Sequence, residues 1–251
     1  MNRFCSIISG MVIVIGLSFS SVSAFADSLS DEELNRRIDF IQNRLDDGTT
    51  DAKRWQYSWM FINGAAGYLQ LGTATTLTDS DEKNERYDNI VGGIAGLLAT
   101  GDLILNPLNS WNASAKLQNL PQTTDEEIKA KLQFGEQLLK DCADREIYGR
   151  SWQTHALAGL VSVIGGVAIV LDKEDDDDDD DYRYGDGAFF FASSMLVAEI
   201  QIFTMPTRAI KDWEDYSSMS FDDSRAQVKE SPEMDYFISA SPKGLFCTIL
   251  F

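Results

Sequence analysis

Two acidic residues lie in otherwise apolar stretches, and their chemistry depends on whether they meet. Asp102 and Glu199 each follow a long apolar run and precede a proline, Pro107 or Pro206, by a few positions. When two carboxyl groups approach one another in an apolar setting, one of them has a raised pKa, which suits proton relay or cation binding. Alternatively, each lies near a helix end and reaches water. The pair is the candidate ion or proton site of this sequence.

A run of seven aspartates, Asp175 to Asp181, is the most concentrated charge in the chain. Oxygen ligands attract divalent cations, but a site needs ligands at spaced positions with a turn that folds them inward. The run lacks the Asp-x-Asp-x-Asp-Gly pattern, and neighbouring like charges repel one another. A solvated loop is favoured over a divalent-cation site.

Catalytic constellations are missing from the sequence. The single histidine, His155, follows Trp152 at the start of an apolar stretch, and nothing nearby in the sequence nominates a nucleophile or an orienting acid. An interfacial or capping role is therefore expected for it. No Gly-rich phosphate loop, Gly-x-Ser-x-Gly, His-Glu-x-x-His or Cys-x-x-Cys motif occurs. We expect no enzyme, no cofactor and no resident metal.

Charge and composition exclude further classes. The chain of 251 residues has 40 acidic and 21 basic residues and a formal charge of −19, which argues against nucleic acid as a partner. One histidine excludes most His-based zinc sites. Because 44% of the residues are hydrophobic, the chain is able to bury a core.

The first 26 residues have the features of a secretory signal peptide. Arg3 supplies the positive charge, an apolar stretch follows from Ser6 to Ser20, and Ala24-Phe25-Ala26 forms a cleavage site. This pattern predicts export into a bacterial cell envelope. Cleavage would remove Cys5 and leave Cys142 and Cys247, whose spacing neither supports nor excludes a disulfide.

An internal repeat organises the remainder of the chain. Asp31-Glu32-Glu33-Leu34 is echoed by Asp125-Glu126-Glu127-Ile128, and Ser58-Trp59 by Ser151-Trp152 at nearly the same offset. The sequence thus predicts a signal peptide (1–26), two helical repeats (27–120 and 121–218) and a flexible tail (219–251). Within the tail, Tyr236 to Ala240 and Leu245 to Phe251 could pair as a short hairpin.

Each repeat reads as an amphipathic helix followed by an apolar helical hairpin, so the predicted fold is all-α, with a four-helix apolar core and two flanking helices. The first leading helix is predicted over Asp31 to Asp46, and Thr124 with Glu127 forms a capping box for the second. The apolar stretches are Trp59 to Leu77, Ile90 to Leu108, His155 to Leu171, and Gly187 to Met205.

Glycines within these stretches point to close helix packing. Each costs about 1 kcal/mol against alanine in a helix interior, which favours a tight helix–helix interface or a membrane. The candidate packing positions are Gly92 and Gly96, in a small-x-x-x-small pattern, and Gly159 and Gly165.

Charge distribution leaves the membrane question open. Sixteen of the twenty basic residues beyond the signal segment lie outside the two hairpin loops. By the positive-inside rule this side would face the cytoplasm, and the hairpin tips would lie on the other side of the membrane. A cleaved signal peptide would deliver the opposite orientation. Three interpretations stay open: a periplasmic helical bundle, hairpins embedded in a membrane against the charge rule, and an N-terminal segment that is not a signal peptide.

The expected function is a non-catalytic structural or binding role in the cell envelope, with membrane lipid or partner helices as partners and a homo-oligomer compatible with the pattern. The alternative is a small transporter or channel component that uses Asp102 and Glu199.

Overall fold

A computed structural model describes residues 30–79, 82–172, 180–219, 235–241 and 244–250. The predicted signal peptide and most of the aspartate run lie outside these ranges. The described residues up to Ser218 belong to one unit, and those from Met219 onward belong to a second.

Seven α-helices make up the first unit over its described residues. They are α1 (Asp31–Thr76), α2 (Lys83–Leu105), α3 (Ala113–Gln118), α4 (Asp125–Gly149), α5 (Trp152–Leu171), α6 (Asp180–Phe203) and α7 (Arg208–Ser218), with a 3-10 turn at Asn109–Trp111. The predicted all-α class is confirmed. The tandem repeat stays a prediction, and the short helices α3 and α7 were not anticipated from the apolar pattern.

The helices α1 and α4, which lead the two predicted repeats, each begin after a residue whose side chain caps the helix N-terminus. The Ser30 hydroxyl accepts a hydrogen bond from the Glu33 amide at the start of α1. At the start of α4, the Thr124 hydroxyl accepts from the Glu127 amide, and the Glu127 carboxylate accepts from the Thr124 amide. These bonds satisfy amides that have no partner within the helix. The predicted capping box is confirmed.

The first repeat differs from the prediction in its connection. The helix predicted over Asp31 to Asp46 and the apolar stretch from Trp59 form one continuous helix, α1, of 46 residues. In the second repeat the helix α4 ends at Gly149, and a separate helix, α5, begins at Trp152. In the proposed alignment Gly149 corresponds to Gln56, and glutamine continues a helix far more readily than glycine.

The N-terminal half of α1 (31–56) packs with α3, α4 and α7 into what we call the polar bundle. Its core is fully buried and comes from all four elements; it includes Leu34, Ile38, Ile41, Leu45, Leu117, Leu132, Leu139, Ala209 and Tyr216. The first four recur at helical spacing along one face of α1, as predicted. Burial of this stripe gives the bundle an ordinary soluble-protein core.

The C-terminal half of α1 (57–76), α2, α5 and α6 form what we call the apolar layer. α1 packs against α2 and α5 against α6, so both predicted hairpins are present. Few of their side chains are buried: α2 buries only Gly93 and Leu103, and α5 only Ser162, Gly166 and Ile169. The four apolar helices therefore pair without enclosing the core that their composition suggested.

The second unit contains a two-stranded hairpin. Strand β1 (Asp235–Ser241) pairs antiparallel with β2 (Gly244–Leu250), and Ile238 lies opposite Cys247. The pairing occurs where the sequence predicted a short hairpin in the tail.

Candidate functional site

The outer surface of the apolar layer is the most unusual feature of the chain. Large apolar side chains are exposed on every helix of the layer, among them Phe61, Leu98, Ile164, Phe189 and Phe203. Contiguous exposed apolar patches of this kind mark interaction sites, because soluble monomers seldom expose them.

Three segments of the described chain are long and apolar enough to cross a membrane. They are Lys83–Leu105, Trp152–Leu171 and Tyr182–Ser218, and only 11%, 17% and 11% of their most apolar windows are buried within the protein. The C-terminal half of α1, which contains Asn63 and Gln70, does not reach the same criterion. Membrane association is thus compatible with length and composition for three of the four predicted stretches.

Glycine brings the backbones of α1 and α2 into contact. A Cβ atom at Gly96 would lie 2.8 Å from the Asn63 carbonyl oxygen and 2.9 Å from the Gly67 Cα, and one at Gly93 would meet the Leu71 side chain at 2.5 Å. At Gly92, in contrast, a Cβ would collide only with the end of the Gln70 side chain. The close approach therefore centres on Gly67, Gly93 and Gly96.

In the second hairpin, glycines also bring the backbones of α5 and α6 into contact. A Cβ at Gly166 would lie 2.7 Å from the Gly187 carbonyl oxygen, and one at Gly187 would lie 2.6 Å from the Gly166 carbonyl oxygen. Gly165 makes room for the Phe190 ring, 2.2 Å from such a Cβ. Gly159 has only an ordinary contact with Met195 at 3.9 Å. Of the four predicted packing positions, the structure thus places Gly96 and Gly165 at tight contacts.

Polar side chains at the helix ends join the bundle to the layer. Gln56, 2% exposed, donates to the Leu103 carbonyl oxygen at 2.5 Å and accepts from the Leu108 amide at 3.3 Å. Arg150 donates to the carbonyl oxygens of Phe203 and Met205 at the end of α6. These side chains satisfy backbone groups that the helix ends leave without partners.

The two hairpins are also tied to one another near their tips. Arg183 on α6, 4% exposed, donates to the Ile169 carbonyl oxygen at 2.8 Å. Its guanidinium lies 3.0 Å from the Asp88 carboxylate on α2, 3.4 Å from Asp186 and 3.8 Å from Asp172. Because Asp88 belongs to the first hairpin and Asp172 to the second, both tips lie at the same end of the layer.

At the opposite end, Glu199 meets the only histidine. His155 Nδ1 lies 2.9 Å from both Glu199 carboxylate oxygens, and the two side chains are 40% and 37% exposed. Asp102 is exposed and accepts a hydrogen bond from the Asn106 amide group at 2.7 Å. Within the described ranges Asp102 and Glu199 do not hydrogen-bond with one another, and each has its own partner.

Sequence reasoning found Glu199 and His155 separately but missed their pairing. The signal was present, because His155 lies one turn inside the start of α5 and Glu199 one turn inside the end of α6, and antiparallel neighbours bring these positions to one level. The alignment of the repeats instead directed attention to Asp102 as the partner of Glu199.

The polar bundle buries two carboxyl groups among the described residues, Glu146 and Asp212. Glu146, 2% exposed, accepts a hydrogen bond from the Ile210 amide at 3.3 Å, in the first turn of α7. Burial raises the pKa of its carboxyl group to about 8, and the backbone amides of Ile210 and Ala209 offset part of that rise. This group stabilises the start of α7 at an electrostatic cost.

Cys142 is a buried free thiol, and burial raises its pKa to about 12. The side chain of Cys247 lies outside the described residues, so whether it pairs with Cys142 stays open. The aspartate run considered as a cation site also lies outside the description, except for the backbone of its last two residues.

Exposed aromatic residues lie at both ends of the layer. Tyr57 and Trp152 are exposed beside the polar bundle, and the Tyr57 ring meets Trp111 edge to face at 4.9 Å. Tyr182 and Tyr184 are exposed near the tips. Tyrosine and tryptophan favour positions where one side of the ring is apolar and the other is wet.

Comparison with known proteins adds no assignment. No family model, no curated protein and no solved structure matches this chain.

Proposed function

We propose that this chain is a non-catalytic structural or binding component of a bacterial cell envelope, anchored in a membrane by its apolar layer and displaying its polar bundle at the surface. The observation that best supports this proposal is the difference in burial between the polar bundle and the apolar layer. The bundle buries its apolar side chains as soluble proteins do, whereas α2, α5 and α6 expose theirs.

The contacts within the layer support pairing of its helices in a membrane. In lipid, helices associate through close packing of small residues, and Gly67 with Gly96 and Gly166 with Gly187 provide such contacts. A soluble layer of the same composition would leave Phe61, Leu98 and Phe203 in water. Export rests on the signal-like segment 1–26 alone.

The transporter alternative is less well supported. It needs Asp102 and Glu199 to share a site, whereas Glu199 pairs with His155 and Asp102 with Asn106. A binding or structural role needs no such site.

Fractionation of the full chain with a carbonate wash tests the proposal, and N-terminal sequencing of the product tests export. We expect a carbonate-resistant product that begins at Asp27. The double variant Leu98→Asp with Val161→Asp changes two exposed mid-helix side chains, and each aspartate costs about 2.5–3.5 kcal/mol at the centre of a membrane helix. We expect it to shift toward the soluble fraction.

Gln133→Asp, at an exposed position of the polar bundle, is the matched control and should stay in the membrane fraction. A wild-type chain that remains soluble without detergent would refute anchoring and favour a periplasmic bundle. Retention of the complete N-terminal segment would refute cleavage after Ala26.

A further inference from the structure

The four helical segments of the apolar layer have matched lengths between aromatic or helix-end residues. Segments 57–76, 87–105, 152–171 and 184–203 each rise about 27–29 Å at the α-helical spacing. The hydrocarbon core of a bilayer is about 30 Å thick. A helix that inserted into one leaflet alone would need only about half this length.

Charge is confined to the two ends of the layer. Segments 57–76 and 152–171 contain no Asp, Glu, Lys or Arg. In segment 87–105 of α2 the charged residues are Asp88 and Asp102, and in segment 184–203 of α6 they are Asp186 and Glu199. Residues 89–101 and 187–198 lie between them, so both helices share a charge-free zone of about 18–20 Å.

Contacts between the helices place these charged residues at two heights along the helix axes, one at the hairpin tips and one beside the polar bundle. The Arg183 guanidinium holds Asp88 and Asp186 together at the tips. At the other end, His155 holds Glu199, and Gln56 binds the Leu103 carbonyl next to Asp102. The charge-free zones of the four helices are therefore in register.

This distribution of charge complements a bilayer on both sides, with an apolar zone between two polar levels that each carry exposed tyrosine or tryptophan. We infer that the apolar layer crosses both leaflets and presents the hairpin tips on the membrane face opposite the polar bundle. The inference rests on the proposed membrane anchoring and adds to it the depth of insertion and the sidedness of the tips.

A count of accessible cysteines per chain tests this inference. Thr78 at the tip of the first hairpin and Gln133 on the polar bundle are both exposed, and both are changed to cysteine in one chain. Cys5 and Cys247 are changed to serine, and Cys142 is kept because it is fully buried. The protein is reconstituted into sealed phosphatidylcholine–phosphatidylglycerol liposomes and treated with a membrane-impermeant polyethylene glycol maleimide.

We expect each chain to gain one polymer in sealed liposomes and two after detergent lysis, whichever way the chain is oriented. Single variants Thr78→Cys and Gln133→Cys should give complementary labelled fractions, and the background without either should give none. Chains with two labels or with none in sealed liposomes would overturn the crossing.

Flotation of the liposomes separates this result from anchoring itself. Chains that float but carry two labels or none would leave membrane anchoring intact and refute only the crossing. Chains that do not float with the liposomes would refute both proposals.

Discussion

Adding a single methyl group at Gly96 should separate α1 from α2. A Cβ there would lie 2.8 Å from the Asn63 carbonyl oxygen and 2.9 Å from both the Cα and the amide nitrogen of Gly67. These are backbone atoms of a continuous helix, so no side-chain rotation relieves the contact. Forcing extra volume into a packed interface costs about 1–3 kcal/mol.

Gly101→Ala is the matched control, because it makes the same change in the same helix. A Cβ at Gly101 would meet nothing within 4 Å. Both variants gain the same intrinsic helix preference of alanine over glycine, about 1 kcal/mol in a helix interior. That gain cancels in the comparison, so Gly96→Ala should be less stable than Gly101→Ala by the steric cost of about 1–3 kcal/mol.

Thermal unfolding in detergent, followed by near-ultraviolet circular dichroism, measures this difference. One kcal/mol corresponds to about 2–4 °C in Tm for a domain of this size. We expect Gly96→Ala to unfold at least about 2 °C below Gly101→Ala. Equal Tm values, or a higher value for Gly96→Ala, would show that the two helices do not approach as closely as these contacts require.

Four further variants test the polar contacts by unfolding measurements. Because the pKa of Glu146 in the folded chain is about 8, above the ordinary 4.5, the folded state retains a proton that the unfolded state loses. Stability should fall as pH rises from about 4.5 to about 8, and Glu146→Gln should reduce that slope in unfolding measured across this window. A smaller slope should remain, because burial also raises the pKa of Asp212, to about 6. Gln56→Leu leaves the Leu103 carbonyl and the Leu108 amide without their partner, so urea unfolding should show a loss of about 1–3 kcal/mol for each. Arg183→Gln leaves three carboxylates at the hairpin tips without their cationic partner and should lower the free energy of unfolding by about 3–5 kcal/mol, with faster proteolysis at the tips. Wild-type stability would show that Arg183 does not hold the two tips together. Glu199→Gln removes the charge from an ion pair whose two side chains are each more than a third exposed. Its free energy of unfolding, measured by thermal unfolding, should therefore lie within about 1 kcal/mol of the wild-type value.

Local signals in the sequence predicted the elements well. Leu34, Ile38, Ile41 and Leu45 recur at helical spacing, and all four are buried on one face of α1. The Thr124 capping box begins α4 as expected. These features depend on backbone and side-chain groups within a few residues of one another, so composition and spacing are sufficient to identify them.

Whether two helical segments join into one helix depends on single residues, and a repeat alignment treats those residues as equivalent. Gln56 lets α1 run through the position at which Gly149 ends α4. Gln56 also fills a tertiary role, because its amide group binds both the Leu103 carbonyl and the Leu108 amide. A polar residue in an apolar helix indicates a partner, but the sequence does not specify which backbone group 47 or 52 positions away will supply it.

The glycines illustrate why composition locates an interface more reliably than a motif does. The small-x-x-x-small pattern selected Gly92 with Gly96, yet Gly93 and Gly96 face Gly67. Adjacent helical positions differ by about 100° in direction, so a shift of one residue turns a glycine away from its neighbour. The phase of α2 is set by contacts at its ends: Asp88 binds Arg183 of the other hairpin, and the Leu103 carbonyl binds Gln56. Because those partners lie in other helices, the rotation of α2 follows from tertiary structure, and the packing residues follow from that rotation.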